Sequence, residues 1–146
     1  MCATRKYLIV LMLAATSAQA IDAARLMPEL VWQKRVLLIF AANQDGADYR
    51  QQQTLLKTVA DGLIDRDMAV IRVFSDNHLV IDLQSYDQSV ASFHQHFAVA
   101  PGEFRVILVG KDGTIKLDRD SAVSDDDLFS LIDSMPMRRQ EILQGG

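Results

Sequence analysis

Apolar side chains fall into two patterns along this chain, short unbroken runs and stripes at helical spacing. Val36 to Ala41, "VLLIFA", is an unbroken run led in by Trp32-Gln33-Lys34-Arg35. A run this short and rich in branched side chains predicts a strand buried on both faces. A polar loop with Asn43, Gln44, Asp45 and Gly46 follows. Asp48 and Gln51 have the spacing of a helix N-cap and its capping-box partner. Leu55, Leu56, Val59, Leu63 and Ile64 then recur as the buried stripe of one helix, with Gly62 inside it at a cost of ~1 kcal/mol relative to Ala. Met68 to Phe74, "MAVIRVF", is a second strand. Strand, helix and strand in this order predict a right-handed βαβ unit with parallel strands.

The second half has a different rhythm. Ser75-Asp76-Asn77-His78 reads as a loop, and Leu79 to Leu83 stays open between a minor strand and a continuation of that loop. Ser85 with Gln88 predicts the cap of a helix carrying Tyr86, Val90, Phe93 and Phe97. Phe104 to Val109 is a third strand, and Lys111-Asp112-Gly113 a tight turn into Thr114 to Leu117, the sequence of a hairpin. Ser124 caps a further helix whose first turn holds Asp125, Asp126 and Asp127, favourable at the positive end of the helix dipole. Pro136 either ends that helix or opens a short next one. The predicted fold class is α/β, a thioredoxin-like β-α-β-α-β-β-α sandwich with a mixed central sheet.

The first twenty residues stand apart from this pattern. Arg5 and Lys6 precede an apolar stretch from Tyr7 to Ala15, and Ala18-Gln19-Ala20 is a small-x-small site. That is the layout of a secretory signal peptide, expected to be cleaved after Ala20. The apolar stretch is about half the ~20 residues of a membrane-spanning helix, so no stable membrane insertion is expected after cleavage. The expected location is periplasmic or secreted, with residues 21–146 forming one domain whose core covers about 32–142. Loss of the leader removes Cys2, the one cysteine of the 146-residue chain, so the 126 residues left would hold no thiol for exchange or metal binding. Two of fifteen bases also leave, and thirteen bases against nineteen acids give a net charge of −6. Such a surface argues against nucleic acid as a partner.

Two segments carry a family resemblance. "FRVILVGKDGTIKL" from Phe104 to Leu117 and "LIDSMPMRRQEI" from Leu131 to Ile142 resemble the signatures of the domain-of-unknown-function 4174 family. There a strand ending in Gly-Lys-Asp-Gly is paired with a closing Met-Pro-Met-Arg segment. The resemblance runs from about Trp32 to Ile142. It implies a small exported bacterial protein of thioredoxin-like or peroxiredoxin-like fold without an established activity. The chain departs from working thiol enzymes in two places. Ala41, Ala42, Asn43 and Gln44 stand where a nucleophilic cysteine is expected. Pro101 falls too early to be the proline that precedes the third strand of thioredoxins, and Phe104-Arg105 hold that approach.

The candidate chemistry is therefore polar. Asn43, Gln44 and Asp45 lie beyond the carboxyl end of a strand, where α/β folds bind ligands, but the same residue types also build turns. Arg72 within the second strand and Arg105 at the start of the third need a partner or an exit to water. If both reached the first loop, they would hold an anion or pair with Asp45. Met135, Met137, Arg138 and Arg139 combine adaptable apolar contact with guanidinium groups suited to an acidic partner. The alternative for them is a helix folded back so that its arginines pair with nearby aspartates. His78, His94 and His96 lack chelating spacing, no nucleophile elbow is present, and no cofactor motif is found. The leading expectation is a non-catalytic binding or interaction module for an unidentified protein or small ligand. The rival is an enzyme that works without a thiol through polar residues near the first loop.

Overall fold

The computed structural model describes residues 21–82, 84–87 and 90–145, so the expected leader lies outside the described residues. The unbroken apolar runs become the centre of a six-stranded sheet. β1 (Arg35–Ala41) is buried along its whole length, and β2 (Met68–Phe74) is buried except at Arg72. They pair in parallel, Arg35 opposite Met68 and Ala41 opposite Phe74, as a βαβ unit requires. β5 (Arg105–Val109) runs antiparallel on the other side of β1, and β6 (Ile115–Arg119) follows it through a turn in which Gly113 takes φ +79°. With β3 (His78–Ile81) and β4 (Gln84–Asp87), the order is β4-β3-β2-β1-β5-β6.

Alternation along the strands divides the interior into two layers. Val36, Leu38, Phe40, Ile71 and Ile107 point to one face, packed by α1 (Ala23–Leu30) and α4 (Val90–Phe97). Leu37, Ile39, Val70, Phe74 and Leu108 point to the other, beneath α2 (Ala47–Lys57), α3 (Ala60–Asp65) and α5 (Asp125–Asp133). α6 (Pro136–Gln144) crosses the end of the sheet where β1 begins and β5 finishes, and Glu141 within it reaches both Arg35 and Lys111.

Several local expectations are corrected. The helix after β1 is capped by the backbone of Gly46, and Asp48 lies exposed inside its first turn, so the Asp48–Gln51 capping box does not form. The single long helix is two helices broken at Thr58-Val59, two β-branched residues of modest helix propensity. After the break Ile64 is 73% exposed and leaves the stripe, while polar Gln52 is buried. The Gln52 carboxamide donates to the Val123 carbonyl at 3.1 Å and accepts from the Val123 N–H at 2.7 Å. It thereby satisfies both backbone groups of the segment leading into α5.

His78 opens β3 instead of ending a loop, and the open question over Leu79 resolves as a strand to Ile81, with Leu83 outside the described residues. Ser85 and Tyr86 belong to β4, so Ser85 caps no helix. Its proposed partner Gln88 lies outside the described residues, and α4 begins at Val90. α1, which the apolar pattern did not predict, is capped by the Asp22 carboxylate accepting from Ala24 N–H at 2.7 Å. It docks on α4, where Ala23 N–H donates to Ser92 Oγ at 3.1 Å. Ser124 caps α5 as expected, and Pro136 opens a second helix.

Candidate functional site

The loop after β1 closes on itself. Asn43 Oδ1 accepts from Asp45 N–H at 2.9 Å, which is an Asx turn, and Asn43, Gln44 and Asp45 all face solvent. Neither arginine joins them. Opposed residues in a sheet point to the same face. Arg72, opposite Ile39, therefore lies on the face covered by α2, and Arg105, opposite Phe40, on the face covered by α1 and α4. Arg72 donates to Gln53 Oε1 at 3.1 Å and to the Asp82 carbonyl at 2.9 Å. Arg105 donates to Asp118 Oδ1 at 3.0 Å and to the Glu103 carboxylate, and these two hydrogen bonds raise its pKa further. The sheet thus separates the two groups that an anion site or a polar catalytic cluster here would have combined.

The densest charge cluster is at the opposite pole, and both family-like segments contribute to it, one through Lys111 and the other through Asp133, Arg138 and Glu141. Arg35, 1% exposed, grips Glu141 with both terminal nitrogens, at 3.1 and 3.2 Å, and donates to the Arg66 carbonyl at 2.9 Å. Lys111 Nζ donates to Glu141 Oε1 at 2.6 Å and to Asp67 Oδ2 at 2.8 Å. Arg138, 7% exposed, donates to Asp133 Oδ1 at 3.2 Å, to the Asp65 carbonyl at 2.9 Å and to the Asp65 carboxylate. Arg66 holds Asp133 at 2.6 and 3.0 Å and lies 4.0 Å over the Phe129 ring. Met135 packs against the core layer beneath α2, α3 and α5, Met137 is half-buried beside Arg35 and Lys111, and Arg139 is exposed. The Met135–Arg139 segment is therefore the folded-back arrangement at Arg138, and of its two arginines Arg139 alone faces water.

The electrostatics of this cluster oppose proton transfer. The hydrogen bond from Lys111 holds the Asp67 pKa below the usual carboxylate range, despite some burial. Burial alone would raise Glu141 and Asp133, but the cations bonded to each outweigh it and hold both low. Burial would lower Lys111, and the carboxylates of Asp67 and Glu141 outweigh that in turn. Acids pushed down and bases pushed up stay charged across the neutral range, whereas a general acid or base needs a pKa near it. The geometry is that of an ionic clamp joining the start of β1, the end of β5, the α3–β2 junction and α6. Periodicity in the sequence missed Arg35, Arg66, Asp67 and Glu141, because isolated charges at element ends leave no repeat. His94 is a core histidine: Nδ1 lies 2.9 Å from the Val99 carbonyl and the ring packs on Phe40, with Nε2 buried and without a hydrogen-bond partner among the described residues. Among the described residues no three His, Cys, Asp or Glu side chains cluster as metal ligands, and no helix is long and apolar enough to cross a membrane.

Comparison with known proteins gives the fold a wider frame. The family model "Domain of unknown function (DUF4174)" matches residues 26–141. Coiled-coil domain-containing protein 80 of Danio rerio is 30% identical over 128 residues, 76% of this chain. The chain spans only 15% of the length of that relative. Among solved structures, reduced 2-Cys peroxiredoxin of Plasmodium vivax superposes with a TM-score of 0.58 at 14% identity, over 77% of this chain and 83% of that one. A second malarial protein superposes at 0.50 and 21% identity, over 68% and 94% of the two chains. At these identities the structural likeness speaks for fold alone, and the fold is thioredoxin-like.

Proposed function

We propose a non-catalytic binding role, exercised outside the cytoplasm, for this chain, which belongs to the domain-of-unknown-function family DUF4174. Membership brings no assigned reaction with it, so the reading starts from the residues. The observation that carries it is the loop after β1. The strand, loop and helix persist, but Asn43 closes a turn onto Asp45, and Arg72 and Arg105 are held on opposite faces by other partners. No nucleophile, base and orienting group meet there, which is the minimum for covalent or acid–base catalysis. The basic, apolar and small-residue sequence of residues 1–20 supports export. A fold of this kind without its chemistry still offers rigid surfaces and clefts, and binding is what such surfaces do.

Two measurements test the reading. Insulin reduction and peroxide consumption by the protein, with leader cleavage verified by intact mass, are expected to match buffer. Turnover above buffer by a cysteine-free preparation would overturn the non-catalytic reading. Crosslinking of the tagged protein in its own compartment, followed by mass spectrometry, is expected to recover a reproducible partner or ligand. Recovery of the chain with an uncleaved leader from the membrane would overturn the export reading.

A further inference from the structure

A cleft of about 510 Å³ runs along the face of β2 that α2 and α3 cover, at the break between those helices. That volume is within the range of small-molecule sites, ~300–1,000 Å³. Its floor is Met68 and Val70, its wall is Leu56 and Leu63, and Ile64, 73% exposed, forms the lip. Leu56, Lys57, Ala60, Leu63 and Ile64 line it from either side of the break at Thr58-Val59, so α2 and α3 both contribute to its wall. From Met68 to Arg72 the strand advances about 13 Å at ~3.3 Å per residue; Met68 and Val70 give the first half of that length its apolar floor, and Arg72 and Asp82 lie at the far end.

The charges have one sign to spare. Lys34, Lys57 and Arg72 border the cleft. Four lysines lie among the described residues. Lys111 and Lys116 are bonded to carboxylates, whereas Lys34 and Lys57, the two at this cleft, have no ion pair among the described residues. The two acids at the rim are already engaged: Asp67 is hydrogen-bonded to Lys111 and meets Lys34 only through space, and Asp82 Oδ1 accepts from Val70 N–H at 3.0 Å. The backbone is engaged as well. β2 is paired on both sides, by β1 and by β3, so a peptide could not add to it as a new strand. An occupant must bind through apolar contact and one negative charge.

We infer that this cleft binds a single-chain aliphatic carboxylate, its tail along Leu56, Leu63, Met68 and Val70 and its head group toward the unpaired Lys34 and Lys57. The inference rests on reading the chain as a binding domain and gives that domain a ligand class. Apolar burial drives entry of the tail, and the lysines select its charge.

Calorimetric titration of the purified protein with decanoate, below its micellar concentration, tests this. Saturable binding to one site is expected, with decyltrimethylammonium giving only heat of dilution. Lys34→Ala with Lys57→Ala is expected to weaken decanoate binding roughly tenfold. Ile64→Glu, on an exposed side chain, is expected to weaken it at least as much at unchanged melting temperature, while Arg139→Ala leaves it unchanged. Heat of dilution alone with decanoate, equal binding of the cationic amphiphile, or full affinity in both cleft variants would each overturn the inference. Turnover in the redox assays would instead remove the non-catalytic reading and leave the titration result intact.

Discussion

Gly62 in α3 has the ring of Phe129 from α5 packed where a β-carbon would stand, 2.7 Å from Cε2 and 2.8 Å from Cζ of the position a methyl would take. The same ring carries the Arg66 guanidinium on its face. Alanine would favour the helix by ~1 kcal/mol, but inserting an atom into this contact costs about 1–3 kcal/mol. Gly62→Ala is therefore expected to destabilise the protein by about 1 kcal/mol. Urea unfolding measures it, and Gly62→Ala with Phe129→Leu should recover part of the loss through coupling of roughly 0.5–3 kcal/mol. Strict additivity of the two changes would refute the contact.

Glu141→Gln tests the clamp. It keeps the shape but leaves Arg35, 1% exposed, without a carboxylate. Removing one partner of a fully buried pair costs about 3–5 kcal/mol, and the 25% exposure of the Glu141 side chain reduces that to about 2–3 kcal/mol. Denaturant midpoints read the change, and a loss below about 0.5 kcal/mol would show the pair to be ornamental.

The pH dependence follows from the same groups. Glu141, Asp67 and Asp133 all titrate below their ordinary values in the folded protein. A depressed carboxylate stabilises the fold above its unfolded pKa, and that contribution is lost as pH falls through the folded value. Stability should therefore decline from about pH 4.5, the ordinary value for Glu, downward. Lys111 is raised, so its contribution holds below its ordinary 10.5 and fades as pH rises through the folded value. Glu141→Gln should shallow the acid limb of a melting-temperature profile. An unchanged acid limb would place the titrating groups elsewhere.

Arg138 and Arg139 should behave differently. Arg138 is buried between Asp65 and Asp133, and Arg139 is exposed. Arg138→Ala is expected to cost about 1–2 kcal/mol, through loss of a buried side chain and its hydrogen bonds to Asp65 and Asp133, because Asp133 keeps Arg66 and the Asp65 carboxylate is largely in water; Arg139→Ala is expected to cost less than about 0.5 kcal/mol. Separate unfolding curves check this. Equal effects would contradict the placement of the two side chains.

Much of the fold was readable because a short unbroken apolar run has few alternatives. Val36–Ala41 and Met68–Phe74 became the central strands, the Asp-Gly turn made its hairpin, and Ser124 with three aspartates marked a helix start. α1 was missed because "AARLMPEL" is short and carries Pro28 within it. β3 and β4 are four residues each and held by pairing, not by any pattern of their own. The break at Thr58-Val59 has a small local cost, and apolar Ile64 reads as core until its direction is known. For the candidate site, the Gly-Lys-Asp-Gly and Met-Pro-Met-Arg segments were noticed, but their meeting place was not. It depends on Arg35 and Glu141, which are far apart in sequence and repeat nothing.

That separation has a consequence for how the chain closes. Arg35 and Glu141 are 106 positions apart, so their ion pair forms only once β1, β5 and α6 have all been made. A contact this distant in sequence closes a long loop, and non-local closures of that kind slow folding. Until α6 docks, the Arg35 guanidinium keeps its water, and it is buried and neutralised in the same step.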